Sequence, residues 1–379
     1  MPAPLAVSPG GGGTHEPGVK PLAQMAPDTG QPAVPVEVQP YDGQHPEWDQ
    51  FVRCTPGGTV FHLIAWKEVI EEAFGFRAHY LMARRGEEIV GVLPLFELRS
   101  VLRRSALLSL PFAVEGGVCA ADAAARGALE TAALALQATR HAASLELRDG
   151  LDGTGFHVRE GLFYRFRRAL ADTDEANMAA IPRKQRRMIR VGQQSGLVSR
   201  VGSSHCDEFY DLYARSVRDL GTPVFPQRYF RLLLDRFGSA CELLTIWHEC
   251  TPVAAVMSFY FNDTVLPYYA GSRRDYFRYA VNDFMYWELM RHARARGARW
   301  FDFGRSKKGT GAYDFKSHWG FEPEPLRYRI ALRGSDTVPE RSMSSDRVQF
   351  LRRAWQRLPL PLTKVIGPFF IRQFGAFYT

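Results

Sequence analysis

The feature that most constrains this 379-residue chain is a pattern of strands and helices that runs twice. Residues 36–52 (VEVQPYDGQHPEWDQFV) read as a short alternating strand, a turn and the start of a helix with Trp48, Phe51 and Val52 on one face. Residues 198–214 (VSRVGSSHCDEFYDLYA) repeat that order, with Phe209, Leu212 and Tyr213 in the helical positions. HYLMARRGEEIVGVLPLFEL (79–98) is two apolar strands joined at Gly86-Glu87, and ELLTIWHECTPVAAVMSFYFN (242–262) is the same hairpin about 163 residues later. SLPFAVEGG, a helix over 122–142 and the strand SLELRD (144–149) then match VLPYYAGS, a helix over 280–296 and the strand RWFDFG (299–304). Two copies of one unit predict an α/β chain of mixed sheets, an enzyme with a cleft between two lobes.

Composition sets the outer limits. The first 35 residues are rich in Pro, Gly and Ala and nearly free of aromatics, which predicts a disordered arm. They lack the basic start and apolar core of a secretory signal, and no stretch approaches 18 uninterrupted apolar residues, so the expectation is a cytoplasmic protein without a membrane span. The five cysteines are scattered, with no CxxC pair, which suits reduced thiols and argues against a zinc site. Lobe one is expected over 36–165, lobe two over 166–332 ending in the strand YRIAL, and a basic amphipathic tail over 333–379. The stretch 150–170 reads as a turn and an edge strand leading into a linker.

The net charge of +8 is concentrated. Residues 181–200 carry six basic side chains and no acid, and the stretch from Arg347 to Arg372 is again basic without an acid. Such surfaces gather polyanions. On the helix over 182–195, Arg183, Lys184, Arg187 and Arg190 have no acid at i±4, so an external anion is the favoured partner. The tail either lies on an anionic membrane surface or packs across the lobes. No recognition helix or RNA platform is visible, and DNA is not expected as a partner.

FDFGRSKKGTGAYDFKSHWGF (301–321) holds the densest chemistry. Asp302 falls near a strand end, and RSKKGTG reads as a flexible cationic loop carrying Arg305 and Lys307, whose glycines let backbone amides approach an anion. Acyl transfer to an amine needs positive charge at the developing oxyanion and a group to take the amine proton. Lys316 and Lys307 can supply the first, and Asp302, Asp314 or His318 the second. Alternatively the aspartates cap turns and the lysines are solvated. Tyr269 and Tyr313 are candidates to line the cleft, and Glu115 in the Gly-rich turn of lobe one is a candidate base.

The order strand, helix, hairpin, strand, helix, strand resembles the GNAT N-acyltransferase fold. Ordinary GNATs open the helix after the hairpin with a Gly-rich loop that grips the pyrophosphate of acetyl-CoA. Neither EGGVCAAD (115–122) nor GSRRDYFRYA (271–280) fits that loop, which points to a different acyl donor. With tandem GNAT-like lobes, the basic helix PRKQRRMIRVG and the late FDFG…YDFKSHWGF segment, the chain resembles the FemAB family over roughly 36–332. IAWKEVIEEAFGF and LPFAVEGG narrow the resemblance to the FemAB-like proteins associated with PEP-CTERM/exosortase systems and exopolysaccharide synthesis.

The resemblance implies transfer of an amino acid from aminoacyl-tRNA to an amine of a peptidoglycan-type precursor, with no metal or redox cofactor. It implies that the helix basic residues hold substrate phosphates and that Lys316 lies beside the reacting carbonyl. The expected partners are a phosphorylated or lipid-linked glycan or peptide precursor and, as donor, an aminoacyl-tRNA or an acyl thioester. The setting is the cytoplasmic face of the membrane. A CoA- or carrier-dependent GNAT acyltransferase and a non-catalytic polyanion-binding module remain the alternatives.

Overall fold

In the computed structural model the described residues are 34–99, 105–151, 155–334 and 346–375. The expected arm, 1–35, lies outside them except for its last two residues. The first repeat forms β1 (Val36–Pro40), α1 (Glu47–Cys54), α2 (Ile64–Phe74), β2 (Arg77–Ala78) and the hairpin β3 (Leu81–Arg85) and β4 (Glu88–Leu93). It continues with β5 (Phe96–Arg99), β6 (Ser105–Leu108), β7 (Cys119–Ala120), α3 (Ala123–Thr139) and β8 (Ser144–Leu147). Then come β9 (His157–Arg159), β10 (Phe163–Ala169) and α4 (Asp174–Ala180).

The second repeat forms α5 (Arg183–Gln194), β11 (Leu197–Val201), α6 (Cys206–Asp219), α7 (Gln227–Phe237), β12 (Cys241–His248) and β13 (Thr251–Phe261). It continues with β14 (Thr264–Ser272), α8 (Val281–Ala295), β15 (Trp300–Lys307), α9 (Gly311–His318) and β16 (Pro323–Pro325). The last elements are β17 (Tyr328–Leu332), α10 (Asp346–Gln356) and α11 (Leu360–Phe370).

The lobes carry the same strand order. Lobe two is a seven-stranded sheet, β11-β12-β13-β14-β15-β10-β16. Lobe one carries the same order across two sheets, β1-β3-β4-β7 and β2-β5-β6-β8-β17-β9, because the chain breaks at Pro94, which lacks the N–H a ladder needs, between β4 and β5. In both, the central parallel pair is short. β6 and β8 share three register pairs, and β14 and β15 only two, Thr264 with Trp300 and Val265 with Phe301. Beyond Val265 the second pair splays apart.

The lobes also trade strands, which corrects two expectations. YRIAL at 328–332, expected to end lobe two, inserts antiparallel between β8 and β9 of lobe one. FYRFRRA at 163–169, expected as an edge strand before the linker, inserts antiparallel between β15 and β16 of lobe two. Each lobe is completed by a strand from beyond its own repeat. Both strands are short and half-polar, so either sheet could accept them by pattern alone.

Strand alternation divides the core. Phe301 and Phe303 of β15 face α5, α8 and α9 with Ile189, Phe284, Trp287 and Trp319. Met257, Phe259 and Phe261 of β13 face the other way, into a core shared by α1 and α2 of lobe one and α6 and α7 of lobe two. Trp48, Val52, Phe209, Leu212 and Tyr213 are buried in that shared core, as their spacing predicts. Gly75 ends α2 in the left-handed conformation at φ 67°. Cys119, Cys206 and Cys241 are buried and Cys54 and Cys250 exposed, all as free thiols.

Candidate active site

On the face of the second sheet turned toward lobe one lies a cavity of about 240 Å³. Its walls are the Thr55–Phe61 loop, Val114 and Glu115 from lobe one, and Arg165, Arg167, Phe261–Thr264, Leu266, Asp302 and Gly304 from lobe two's sheet. The Thr-Pro-Gly-Gly-Thr turn can pack here because Gly58 has no side chain; a Cβ there would fall 1.9 Å from the Val52 carbonyl oxygen. His62 fastens the two lobe-one loops together. The Thr59 amide donates to its Nδ1 at 3.2 Å, so Nε2 carries the hydrogen and donates to the Gly117 carbonyl at 3.1 Å. Burial pushes this imidazole down to about 4, against the opposing pull of the Gly117 bond and Asp149, so it is neutral at pH 7.

Three charges meet at the cavity wall. Arg165 of β10 donates through Nε to Asp302 Oδ2 at 2.7 Å and through Nη1 to Glu115 Oε2 at 2.7 Å. Asp302 is 1 % exposed, and its Oδ1 accepts the Gly304 amide at 2.8 Å. That bond sets the kink at which Gly304 takes φ 65°. Burial raises the Glu115 carboxyl, with Arg165 opposing and Asp302 adding to the rise. Burial pulls against the charge of Arg165, but Asp302 and Glu115 outweigh it and hold its proton more firmly than usual. Arg167 lies with its guanidinium 4.2 Å from the Trp300 ring centroid, and its buried Nε has no hydrogen-bond partner among the described residues. A carboxylate made more basic by burial, beside a second one fixed by arginine, can attract an amine and accept its proton.

Lys316 is elsewhere. It sits on α9, and its Nζ donates to the carbonyls of Phe303 at 2.6 Å and Arg305 at 3.1 Å, on either side of Gly304. Burial pushes it down to about 7, with Asp302 opposing and Arg305 adding to the fall. Lys316 and α5 both belong to the outer face of the second sheet, packed with α8, while the cavity lies on the inner face. The structure therefore does not gather Lys316 and the basic helix into one interlobe cleft. Lys316 reaches the backbone beside Gly304 from the outer face, near enough for Asp302 to act on its charge, while α5 lies on α8 and β11.

The other expected residues divide in the same way. Arg183, Lys184, Arg187 and Arg190 are exposed on α5 with no ion-pair partner among the described residues. Arg305 donates to the Tyr328 hydroxyl at 2.8 Å, and its guanidinium lies 4.5 Å from the Phe163 ring centroid. Arg305 and Lys307 belong to β15, so the expected flexible loop shrinks to Lys308–Thr310. Asp314 is exposed in the first turn of α9. Tyr313 packs edge-on against Tyr164 and Phe166, and the Tyr269 hydroxyl pairs with that of Tyr229 at 2.8 Å in the shared core. Neither tyrosine lines the cavity. Arg165 and His62 escaped sequence reasoning. The Pro-Gly-Gly turn three residues before Val60 was the available signal for the His62 loop, whereas Arg165 arrives by strand exchange, which no local pattern announces.

Residues 177–317 match the family described as Acetyltransferase (GNAT) domain, so the second half of the chain carries an acyltransferase domain. Among solved structures the chain is similar to FemX, at 15% identity and a TM-score of 0.65, over 84% of this chain and 100% of that one. It is similar to the C-terminal domain (DUF2156) of a putative lysylphosphatidylglycerol synthetase from Agrobacterium fabrum, at 13% identity and a TM-score of 0.52, over 71% and 88% of the two chains. It is also similar to a tandem GNAT protein from the clavulanic acid biosynthesis pathway, at 12% identity and a TM-score of 0.51, over 80% and 100%. These likenesses establish a tandem GNAT-like fold. No curated protein sequence matches the chain.

Proposed function

We propose that the protein is a FemAB-type N-acyltransferase that joins an acyl group to an amine on a phosphorylated cell-wall or exopolysaccharide precursor. The observation that carries this reading is the pair of opposite faces of the second sheet, the inner one with the cavity and the outer one with α5 packed on α8 and β11. One face presents the Glu115–Arg165–Asp302 cavity, and the other presents a helix of exposed cations without an ion-pair partner among the described residues. An acceptor amine enters the acidic cavity from the lobe-one side, and an anionic donor is held by α5 from the outer side. The two meet at the gap beside Gly304. The amine nitrogen attacks the acyl carbonyl, the C–N bond forms and the bond to the carrier oxygen breaks. One proton passes from nitrogen to the leaving oxygen, with Glu115 as its carrier. Lys316 holds the carbonyls of Phe303 and Arg305 and so fixes the kink that shapes the gap.

The donor is an aminoacyl ester in preference to acyl-CoA. In lobe one the N-terminus of α3 is occupied by Asp122, which accepts the Ala125 amide at 2.9 Å and pairs with Arg85 at 2.8 Å. In lobe two the approach to α8 is a 3-10 turn, Arg274–Tyr279, with Arg274, Phe277 and Arg278 exposed in place of a glycine cradle. The α3 amides are taken by a capping carboxylate, and the α8 amides, which have no side-chain cap, lack the glycine loop that would wrap a pyrophosphate against them. The names FemX and lysylphosphatidylglycerol synthetase among the structural neighbours support aminoacyl transfer near the cell envelope. The exopolysaccharide setting rests on the motif resemblance.

The test is full-length protein incubated with nucleotide-linked or lipid-linked precursor and either labelled aminoacyl-tRNA or acyl-CoA, followed by mass. Glu115→Gln is expected to lower kcat by about 10²–10⁴ with KM little changed. Transfer from acyl-CoA alone would favour the thioester-dependent alternative. No mass change with any pair would favour the binding module.

A further inference from the structure

The helix α10 touches the protein through polar side chains and half-buried Trp355. Arg352 Nε donates to the Leu220 carbonyl at 2.7 Å, and Gln356 Nε2 donates to the Asp219 carbonyl at 3.0 Å. Gly221, at φ +76°, leaves room for Arg352 against it. Residues 352 and 356 lie one turn apart, so the polar stripe of α10 faces the protein. The opposite side carries Phe350 and Leu351, 71% and 65% exposed.

The neighbouring helix α11 packs inward through small residues and pairs Lys364 with Asp211 at 2.8 Å. Thr363, Gly367 and Ile371 are buried, with Gly367 against the Val224 backbone. The far side of α11 presents Leu362, Val365 and Phe369 to solvent at the i, i+3, i+7 spacing of one stripe, with Val365 75% exposed. Edge-on contact of Trp355 with Phe370, at 5.5 Å between ring centroids, joins the two helices into one apolar surface. Folding alone does not account for this much exposed apolar area.

We propose that this surface docks on an anionic phospholipid bilayer, with the two helices lying in the headgroup plane. Charge supports that occupant. Arg353 and Arg357 are exposed with no ion-pair partner among the described residues, and the sequence from 347 to 372 holds no acid. A second copy of the chain would fit worse, because a two-fold contact would bring these arginines against their own equivalents. Insertion is confined to the interface, since no described helix is long and apolar enough to cross a membrane. The inference stands apart from the transfer reaction, and its test needs no substrate.

Full-length protein is sedimented with vesicles of mixed phosphatidylglycerol and phosphatidylcholine, and with vesicles of phosphatidylcholine alone. Binding to the mixed vesicles, weakened by salt, is expected. Neutralising two arginines (Arg353→Gln with Arg357→Gln) should lower partitioning by about 30-fold, at ~1 kcal/mol for each cation near the surface. Val365→Ser with Phe369→Ser should abolish what remains, while an unchanged melting temperature shows that the fold is intact. Failure of the wild type to bind mixed vesicles would overturn the proposal. So would equal binding by the serine variant, or light scattering showing a wild-type dimer that the serine substitutions dissociate.

Discussion

His62 offers the sharpest physical test of the site, because its burial and bonding fix both the sign and the size of the effect. The ring is 2% exposed, and burial moves it from the usual 6.5 down to about 4. The folded protein therefore binds this proton less readily than the unfolded chain. Stability from this group is complete above pH 6.5 and is lost as the pH falls toward 4. At about 1.4 kcal/mol for each pH unit of that interval, and with the folded form half titrated at its end, the loss comes to about 3 kcal/mol. His62→Gln removes the titration while keeping a donor for the Gly117 carbonyl and an acceptor for the Thr59 amide. Urea denaturation from pH 7 to pH 4 should show the wild type losing about 3 kcal/mol more than the variant. Parallel stability profiles would refute the burial of a neutral imidazole between the two cavity loops.

Lys316→Met leaves the Phe303 and Arg305 carbonyls without their donor, and by loosening the kink at Gly304 it should lower kcat by about 10² in steady-state assays. Because burial lowers this amine from 10.5 to about 7, wild-type stability should fall as the pH drops from 10.5 toward 7, a slope that the methionine variant lacks. Arg187→Ala should raise KM for the anionic donor and leave kcat nearly unchanged, with a weaker salt dependence than the wild type. If only the acceptor KM moves, α5 serves the other substrate.

Much of the fold was legible because its signals are local. The two hairpins announce themselves by apolar runs around Gly86-Glu87 and Glu249-Cys250, and α8 by Phe284 and Trp287 on one face. The exchange of β10 and β17 was illegible for a physical reason. FYRFRRA and YRIAL each satisfy an antiparallel slot beside a buried strand, and the choice of sheet is made by long-range pairing. The site was legible in the same proportion. Asp302 stood out through FDFG, and the α5 cations through their lack of acids at helical spacing. Arg305 and Lys307 looked like loop residues because RSKKGTG is polar and Gly-rich, yet β15 pairing with β10 carries the strand through Lys307. Lys316 reads as a free cation in sequence, and only the packing of α9 shows two of its hydrogens committed to backbone carbonyls.

The exchange also explains why one lobe opens onto the cavity and the other does not. By facing direction, Leu145 and Leu147 of β8 correspond to Phe301 and Phe303 of β15, so Glu146 takes the place of Asp302 and Arg148 that of Gly304. Each lobe thus has a buried acid on its fifth strand. In lobe one, Arg148 bonds Glu146 at 3.0 Å and the Ala113 carbonyl at 2.8 Å, and its long side chain fills the room that Gly304 leaves open in lobe two. The exchanged strands part company as well. Arg329 of β17 is committed to Asp149 and Glu130 inside lobe one, whereas Arg165 of β10 reaches across from Asp302 to Glu115 of the other lobe. Duplication supplied two equivalent acid positions, and a glycine in one lobe against an arginine in the other made a single cavity of them. That cavity is built from the loops of lobe one, a strand of lobe two and a strand that passes between them, so neither half of the chain contains it alone.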